Sequence, residues 1–370
     1  MKKDISVLLD EHVWLKQIIG TFSNLFFSVV RFISKTNKTG SKTIVISMCR
    51  IGDSVFTIPT LRAIISSNDN VIVVCFRDSK TIYDLFLTDV NYIVIDKSEI
   101  QFNGRIINSK YRNALNKINP KRIYDITGSI LSASLIFGVK TDQVIGFNDI
   151  YFKRLYSKFI PKRKLPHLME MYFEVALAGD NTGHLVLKRE FSTSYNKSDK
   201  ILIHPFAGWE AKEWNMQKFI ELTELFNKDF NVSWIFADDK KNEVMKNNLD
   251  TCGIKYIITE SLERLLKEIE TCSLFISNDS GPLYLAASLG KPTFTIYGPT
   301  NPAYSIPYGQ NHRSIRKSIH CSPEIPNQYC FTFGGRYCDS FECMNSLHVK
   351  DVYDEIVPFI DSLKISKQHD

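Results

Sequence analysis

"SNDSGPLYLAASLGKPTFTIYGPTNP", residues 277–302, decides the fold. It opens on the end of an apolar run, SLFISN at 273–278, turns through Asp-Ser-Gly-Pro, and reads as a short helix near 283–289. Gly290 closes that helix and Pro292 prevents its continuation. TFTIY at 293–297 is a second apolar, β-rich run, and Gly-Pro-Thr ends it. Strand, short helix and strand make a βαβ unit. Runs this continuously apolar predict strands buried on both faces of a parallel sheet.

The same alternation extends outward. Upstream lie ILIHP at 201–205, a helical stretch near 216–228, VSWIFA at 232–237, KYIIT at 255–259 and a helix near 261–270. A polar interval at 179–199 separates this series from an earlier one. That earlier series has strand candidates at 43–48, 71–76, 92–96, 122–127 and 143–147, with PTLRAIISS and KYRNALNKI as crossover helices. Two series of similar size predict an α/β chain of two Rossmann-like domains, with parallel sheets facing across a cleft. The expected divisions are an N-terminal amphipathic segment at 1–40, a first Rossmann-like domain at 41–180, a second at 198–320, and a Cys-rich segment with a last helix at 321–370. In that helix Val349, Val352, Ile356 and Ile360 share one face.

The length of 370 residues, 44% hydrophobic, suits two soluble domains. With 46 basic against 40 acidic residues, no long basic block and no zinc-finger or RNA-binding signature, nucleic acid is not an expected partner. The start, MKKDISVLLDEHVW, reads as no cleavable signal peptide, because Asp4, Asp10 and Glu11 interrupt any apolar core. A cytoplasmic address follows, and the eight cysteines read as thiols. Residues 17–30, QIIGTFSNLFFSVV, are uncharged and flanked by Lys16, Arg31, Lys35 and Lys38, with Ile18, Phe22, Leu25, Val29 and Ile33 at helical spacing. The stretch is short for a membrane span. Two readings stand: a helix lying peripherally on the inner membrane through residues 8–34, or one packed on the protein's own surface.

Ligands of such sheets bind beyond the carboxyl ends of the strands, so three loops matter most. In CRIGD, Gly52 permits a tight turn and Asp53 follows at a helix start, where a carboxylate is either a cap or a general base. HPFAGWEAKEW at 204–214 joins a small Ala207–Gly208 pair to Lys212, and backbone N–H groups with an ammonium suit a diphosphate. In the third loop Asp279 and Ser280 are cap-type residues and Gly281 lets a phosphate approach the backbone. Elsewhere, Lys153, Arg154 and the run Lys162, Arg163 and Lys164 form either a solvated basic face or a contact for anionic glycan. Cys321, Cys330, Cys338 and Cys343 fall within 23 residues. Four thiolates suit a structural zinc or iron, with His320 as an alternative ligand, but no Cys-x-x-Cys pair is present and free thiols remain the other reading.

Together "RIGDSVFTIPTLRAI", "HPFAGWEAKEW" and "NDSGPLYLAASLGKPTFTIYGPTNP" resemble glycosyltransferase family 9, the heptosyltransferases of bacterial lipopolysaccharide assembly, over roughly residues 42–360. The resemblance implies a GT-B fold and an inverting transfer, with no cofactor and no catalytic metal. The donor implied is a nucleotide sugar, typically ADP-heptose, and the acceptor a hydroxyl of a glycolipid or oligosaccharide. Asp53 matches the family's catalytic aspartate, and Arg50 and Gly52 lie on its acceptor-side loop. Lys212 matches the lysine that neutralises the donor phosphates, and Asp279, Ser280 and Gly281 the loop that cradles them. Gly208 and Tyr284 are further donor contacts, and Asp238 or Asp239 falls where the ribose is held. Two departures stand out. Tyr284 replaces a histidine found in many relatives, and Phe206 replaces a glycine, so a donor other than ADP-heptose stays open. So do a protein O-heptosyltransferase, a non-catalytic nucleotide-sugar-binding homologue and a nucleotide-sugar epimerase of the same fold.

Overall fold

The computed structural model describes residues 13–36, 40–101, 105–163, 167–180, 183–191, 198–239, 243–330 and 338–365. The acids at positions 4, 10 and 11, the start of the 8–34 segment and Lys164 lie outside these residues. The chain forms two compact units: Met1–Cys49, Phe56–Arg163 and Met169–Leu187 in one, Arg50–Val55, Lys164–Leu168 and Lys188–Asp370 in the other.

The first unit is built on six parallel strands: β1 (Thr43–Ile46), β2 (Val71–Phe76), β3 (Asn91–Ile95), β6 (Arg122–Asp125), β7 (Gln143–Gly146) and β8 (Lys158–Phe159). Their order is β3-β2-β1-β6-β7-β8. Ile44 of β1 stands between Ile72 and Ile123, and every residue of β1 and β6 is buried. That is why these runs lack polar alternation. An antiparallel pair of two-residue strands, β4 (Ile100–Gln101) and β5 (Ile106–Ile107), sits apart from the sheet. Helix α1 (Val13–Ser34) docks on this unit. Phe27 and Val30 pack against its core, and the Phe27 ring lies 5.3 Å from Phe152, in the 3-10 turn Ile150–Leu155. Arg31 donates to the Thr141 carbonyl at 3.1 Å and to Ser157 Oγ at 2.8 Å.

The helix start read at Asp53 and the crossover stretch PTLRAIISS belong to one continuous helix, α2 (Ile51–Ser67), with Pro59 inside it. Asp53 therefore stands in the first turn, not at the cap. The dipole of a helix start favours a carboxylate there.

The second unit repeats the plan. Its strands are β9 (Lys200–His204), β10 (Asn231–Ala237), β11 (Tyr256–Thr259), β12 (Leu274–Asn278), β13 (Thr293–Tyr297) and β14 (His312–Arg316). They are ordered β11-β10-β9-β12-β13-β14, all parallel. Numbered within each unit, both sheets run 3-2-1-4-5-6, the Rossmann order. The α/β fold with two parallel sheets is thus as expected. The core holds Trp214, Phe219, Trp234, Phe236 and Phe294. Its indole N–H groups are satisfied: Trp214 donates to the Leu347 carbonyl at 3.0 Å and Trp234 to Thr223 Oγ1 at 2.8 Å. The last helix, Val349–Leu363, buries Val352, Ile356 and Ile360 as expected, while Val349 packs only partly.

Candidate active site

In the second sheet β9 and β12 are neighbours, but their crossovers leave in opposite directions, to β10 and to β13. Such a reversal opens a crevice beyond the carboxyl ends of the two strands. The loops that follow them are those carrying Lys212 and Asp279. Asn278, fully buried at the end of β12, ties these loops together. Its Nδ2 donates to the Pro205 carbonyl at 2.5 Å, and its Oδ1 accepts from the Trp214 N–H at 3.1 Å.

On this frame Lys212 Nζ reaches Asp279 Oδ2 at 2.5 Å, with both side chains nearly buried. Lys212 also lies over the Trp209 ring, 4.2 Å from its centroid, and donates to the Asp279 carbonyl at 3.3 Å. Two hydroxyls complete the carboxylate's shell. Thr300 Oγ1 donates to Oδ2 at 2.8 Å, and Tyr284 Oη makes a very short bond to Oδ1. Burial, then the Asp279 charge, holds the Tyr284 phenol well above its ordinary pKa, so it stays protonated as a donor.

Ser280 is the N-cap residue of the helix Gly281–Ser288, with Pro282 in its first turn. Its hydroxyl shares a hydrogen bond of 2.9 Å with Ser277 Oγ and lies 3.5 Å from His204 Nδ1. Burial lowers the His204 pKa to about 4, so the ring is neutral at pH 7 and cannot supply a cation. The second unit also takes in Arg50–Val55. A Cβ on Gly52 would come within 2.9 Å of Tyr284 Cδ2, and one on Gly281 within 3.2 Å of Ile51 Cγ2. These glycines permit a close approach that puts the Gly52–Asp53 turn beside the Asp279 loop.

The structure thus brings together Lys212, Asp279, Ser280, Gly281, Tyr284 and Gly52, with the half-buried Asp53 next in chain and Arg50 exposed. Gly208 is exposed, with nothing within 4 Å of a Cβ placed there. Asp238 instead pairs at 2.9 Å with Lys246, and Asp239 stands exposed beside it. Thr300 was missed. It lies in the quoted Gly-Pro-Thr turn, but only the fold carries it 21 residues back to Asp279.

Cys321, Cys330, Cys338 and Cys343 line one cavity of about 310 Å³ with His320, Gly298 and Pro299. Among the described residues no group of three or more His, Cys, Asp or Glu is arranged to hold a metal ion. Burial pushes the Cys343 thiol up to about 11 and raises that of Cys321, which keeps both protonated.

In the first unit the corresponding switch lies between β1 and β6, and here the sequence reading missed a buried carboxylate. Asp125, at the end of β6, accepts from Tyr156 Oη at 2.6 Å and from the Thr127 and Gly128 N–H groups at 3.0 and 3.2 Å. Burial raises its pKa to about 6 against the pull of these donors.

Residues 109–331, more than half of the chain, match the family described as glycosyltransferase family 9 (heptosyltransferase). The chain belongs to glycosyltransferase family 9. It is a glycosyltransferase of the heptosyltransferase type, as the three motifs led one to expect. Lipooligosaccharide heptosyltransferase 2 of Campylobacter jejuni is 24% identical over 294 residues, 74% of this chain and 86% of the relative. Among solved structures, E. coli ADP-heptose lps heptosyltransferase II superposes with a TM-score of 0.64 at 17% identity, covering 87% of this chain and 99% of that one. A family 9 glycosyl transferase from Veillonella parvula gives 0.66 at 16%, covering 90% and 99%. These structural likenesses establish the GT-B fold.

Proposed function

We propose that this family 9 enzyme transfers a heptosyl group from ADP-heptose, with inversion, to a sugar hydroxyl of a lipopolysaccharide-type glycolipid. The observation that carries the reading is the Lys212–Asp279 pair at the second sheet's switch point, with Asp279 two residues before the helix Gly281–Ser288. An ammonium and the N–H end of a helix stand together there, the arrangement a diphosphate leaving group needs. The relatives' names, a lipooligosaccharide heptosyltransferase and an ADP-heptose lps heptosyltransferase, support the sugar and the class of acceptor.

In this mechanism the Asp53 carboxylate takes the proton of the acceptor hydroxyl as that oxygen bonds to the anomeric carbon. The bond from that carbon to the diphosphate oxygen breaks, and ADP leaves with the bonding pair. Lys212 and the N–H groups at the start of the Gly281–Ser288 helix meet the charge that develops on the phosphate. Asp279 positions Lys212, and Trp209 shields the pair from one side. Tyr284 and Thr300 donate to the two oxygens of Asp279 and hold it in place, so the tyrosine that replaces the family's histidine acts as a hydrogen-bond donor. Ribose contact through Asp238 requires displacing Lys246; Asp239 is the alternative. A lipid-linked acceptor places the enzyme at the cytoplasmic face of the inner membrane.

The test is transfer from a panel of nucleotide sugars to core glycolipid lacking heptose and, in parallel, to serine-rich adhesin peptide, read by mass spectrometry. One heptosyl group added to the glycolipid from ADP-heptose supports the reading. Addition to the peptide alone makes the protein an adhesin-modifying enzyme. Interconversion of a sugar nucleotide with no acceptor present makes it an epimerase.

A further inference from the structure

The helix Val13–Ser34 packs one face on the fold and leaves an apolar stripe outside it. Phe27, Val30 and Arg31 face the first unit. Away from that face Phe22, Leu25, Phe26, Val29, Phe32 and Ile33 are each more than half exposed, Phe32 at 83%, with Phe26 at the edge of the stripe also stacking on Phe137, 5.8 Å between ring centroids. Spaced by three, four and seven residues, they form one continuous stripe. Isolated exposed apolar residues need no explanation, but a row of six along one helix marks a contact surface. The turn beneath the helix exposes Ile150 as well.

The charges around the stripe say what it meets. Lys35 ends the helix and bridges to Thr141, next to the exposed Lys140. Lys153 and Arg154 are exposed on the turn that holds Phe152, and exposed Lys158 follows Ser157, the residue that anchors Arg31. Against these five cations stand two acids among the described residues around the helix. Asp142 is half-buried, and Asp149 caps the turn by accepting from the Tyr151 N–H at 3.1 Å. No acid lies on the helix itself, Val13–Ser34. A second copy of this chain would bring two basic rims together, and like charges oppose that contact. An anionic bilayer offers apolar depth and the complementary charge at once. Among the described residues no helix is long and apolar enough to cross a membrane.

We infer that the outward stripe of this helix, with the rim of Lys35, Lys140, Lys153, Arg154 and Lys158, docks the enzyme flat on an anionic lipid bilayer. The inference extends the reading of a lipid-linked acceptor, yet it is testable without donor or acceptor. The full-length protein is floated with phosphatidylethanolamine–phosphatidylglycerol vesicles and with phosphatidylcholine vesicles, neither carrying glycolipid. Wild type is expected to float with the anionic vesicles. Replacing Phe22, Leu25 and Phe32 by serine lowers that binding at least about tenfold with the melting temperature unchanged. Lys153→Glu with Arg154→Glu lowers anionic binding several-fold and leaves phosphatidylcholine binding as it was. Equal flotation of wild type and either variant overturns the inference. So does a wild type that ignores vesicles, whether monomeric or a dimer that the serine variant dissociates. Transfer to a soluble acceptor, measured separately, reports on the reaction alone.

Discussion

Removing the Lys212 ammonium leaves the Asp279 carboxylate nearly buried with only its two hydroxyl donors. Breaking a buried ion pair from one side costs about 3–5 kcal/mol. The bonds from Thr300 and Tyr284 persist, so Lys212→Met falls at the low end, about 3 kcal/mol. For a unit of this size each kcal/mol moves Tm by roughly 2–4 °C, so the second unit should melt roughly 6–12 °C lower. Asp279→Asn in the same background removes the stranded charge and should recover a large part of that loss. The assay is calorimetry on wild type, the two single variants and the double, with and without ADP. A coupling of at least about 1.5 kcal/mol, and loss of stabilisation by ADP in both lysine variants, is the expected outcome. A Lys212→Met protein that melts with wild type, or a double variant less stable than Lys212→Met alone, refutes the reasoning.

Three further outcomes follow from the same geometry. Tyr284→Phe removes one donor to a buried carboxylate, worth about 1.5–3 kcal/mol, and should weaken ADP binding by about tenfold or more in titration calorimetry, whereas Tyr284→His should retain it. Gly128 has φ +62° and a Cβ there would lie 2.2 Å from Phe147 Cε2, so Gly128→Ala should melt the first unit well below wild type in a thermal scan. Burial lowers the pKa of His204 and of His312 to about 4, the latter helped by the Arg313 charge. Between about pH 6.5 and pH 4 the unfolded chain binds protons that these folded imidazoles refuse, so their contribution is complete above pH 6.5 and lost as pH falls. Asp125 acts oppositely: raised to about 6, it holds a proton when folded, so its contribution is present at low pH and lost as pH rises through 6. Acid titration of unfolding should show the two units diverging, and replacing both histidines by glutamine should flatten the loss.

Strands buried on both faces carry their own signature, which is why β1, β2, β9, β12 and β13 were legible as apolar runs. The edges were not. HRSIR at 312–316 is half-exposed with a single isoleucine, and β8 has only two residues, so neither has an apolar run to read. Gly52 and Pro59, two residues that normally argue against a helix, both lie inside α2, whose start beside Asp53 was legible from its place after a strand. At the site, loop positions after strands pointed to Lys212 and Asp279, because strand order alone predicts where a crevice opens. Thr300, Asn278 and Asp125 escaped notice because their roles are contacts made across distant parts of the chain, which no local pattern records.

The measurement that bears most directly on the proposed reaction compares wild type with Asp53→Asn for binding of ADP-heptose and for heptosyl transfer to core glycolipid. The proposal predicts that both proteins bind the donor alike, while the asparagine variant transfers at least about a hundredfold more slowly. Transfer by the variant at the wild-type rate would contradict Asp53 as the base, and failure of the wild type to bind ADP-heptose would contradict the donor.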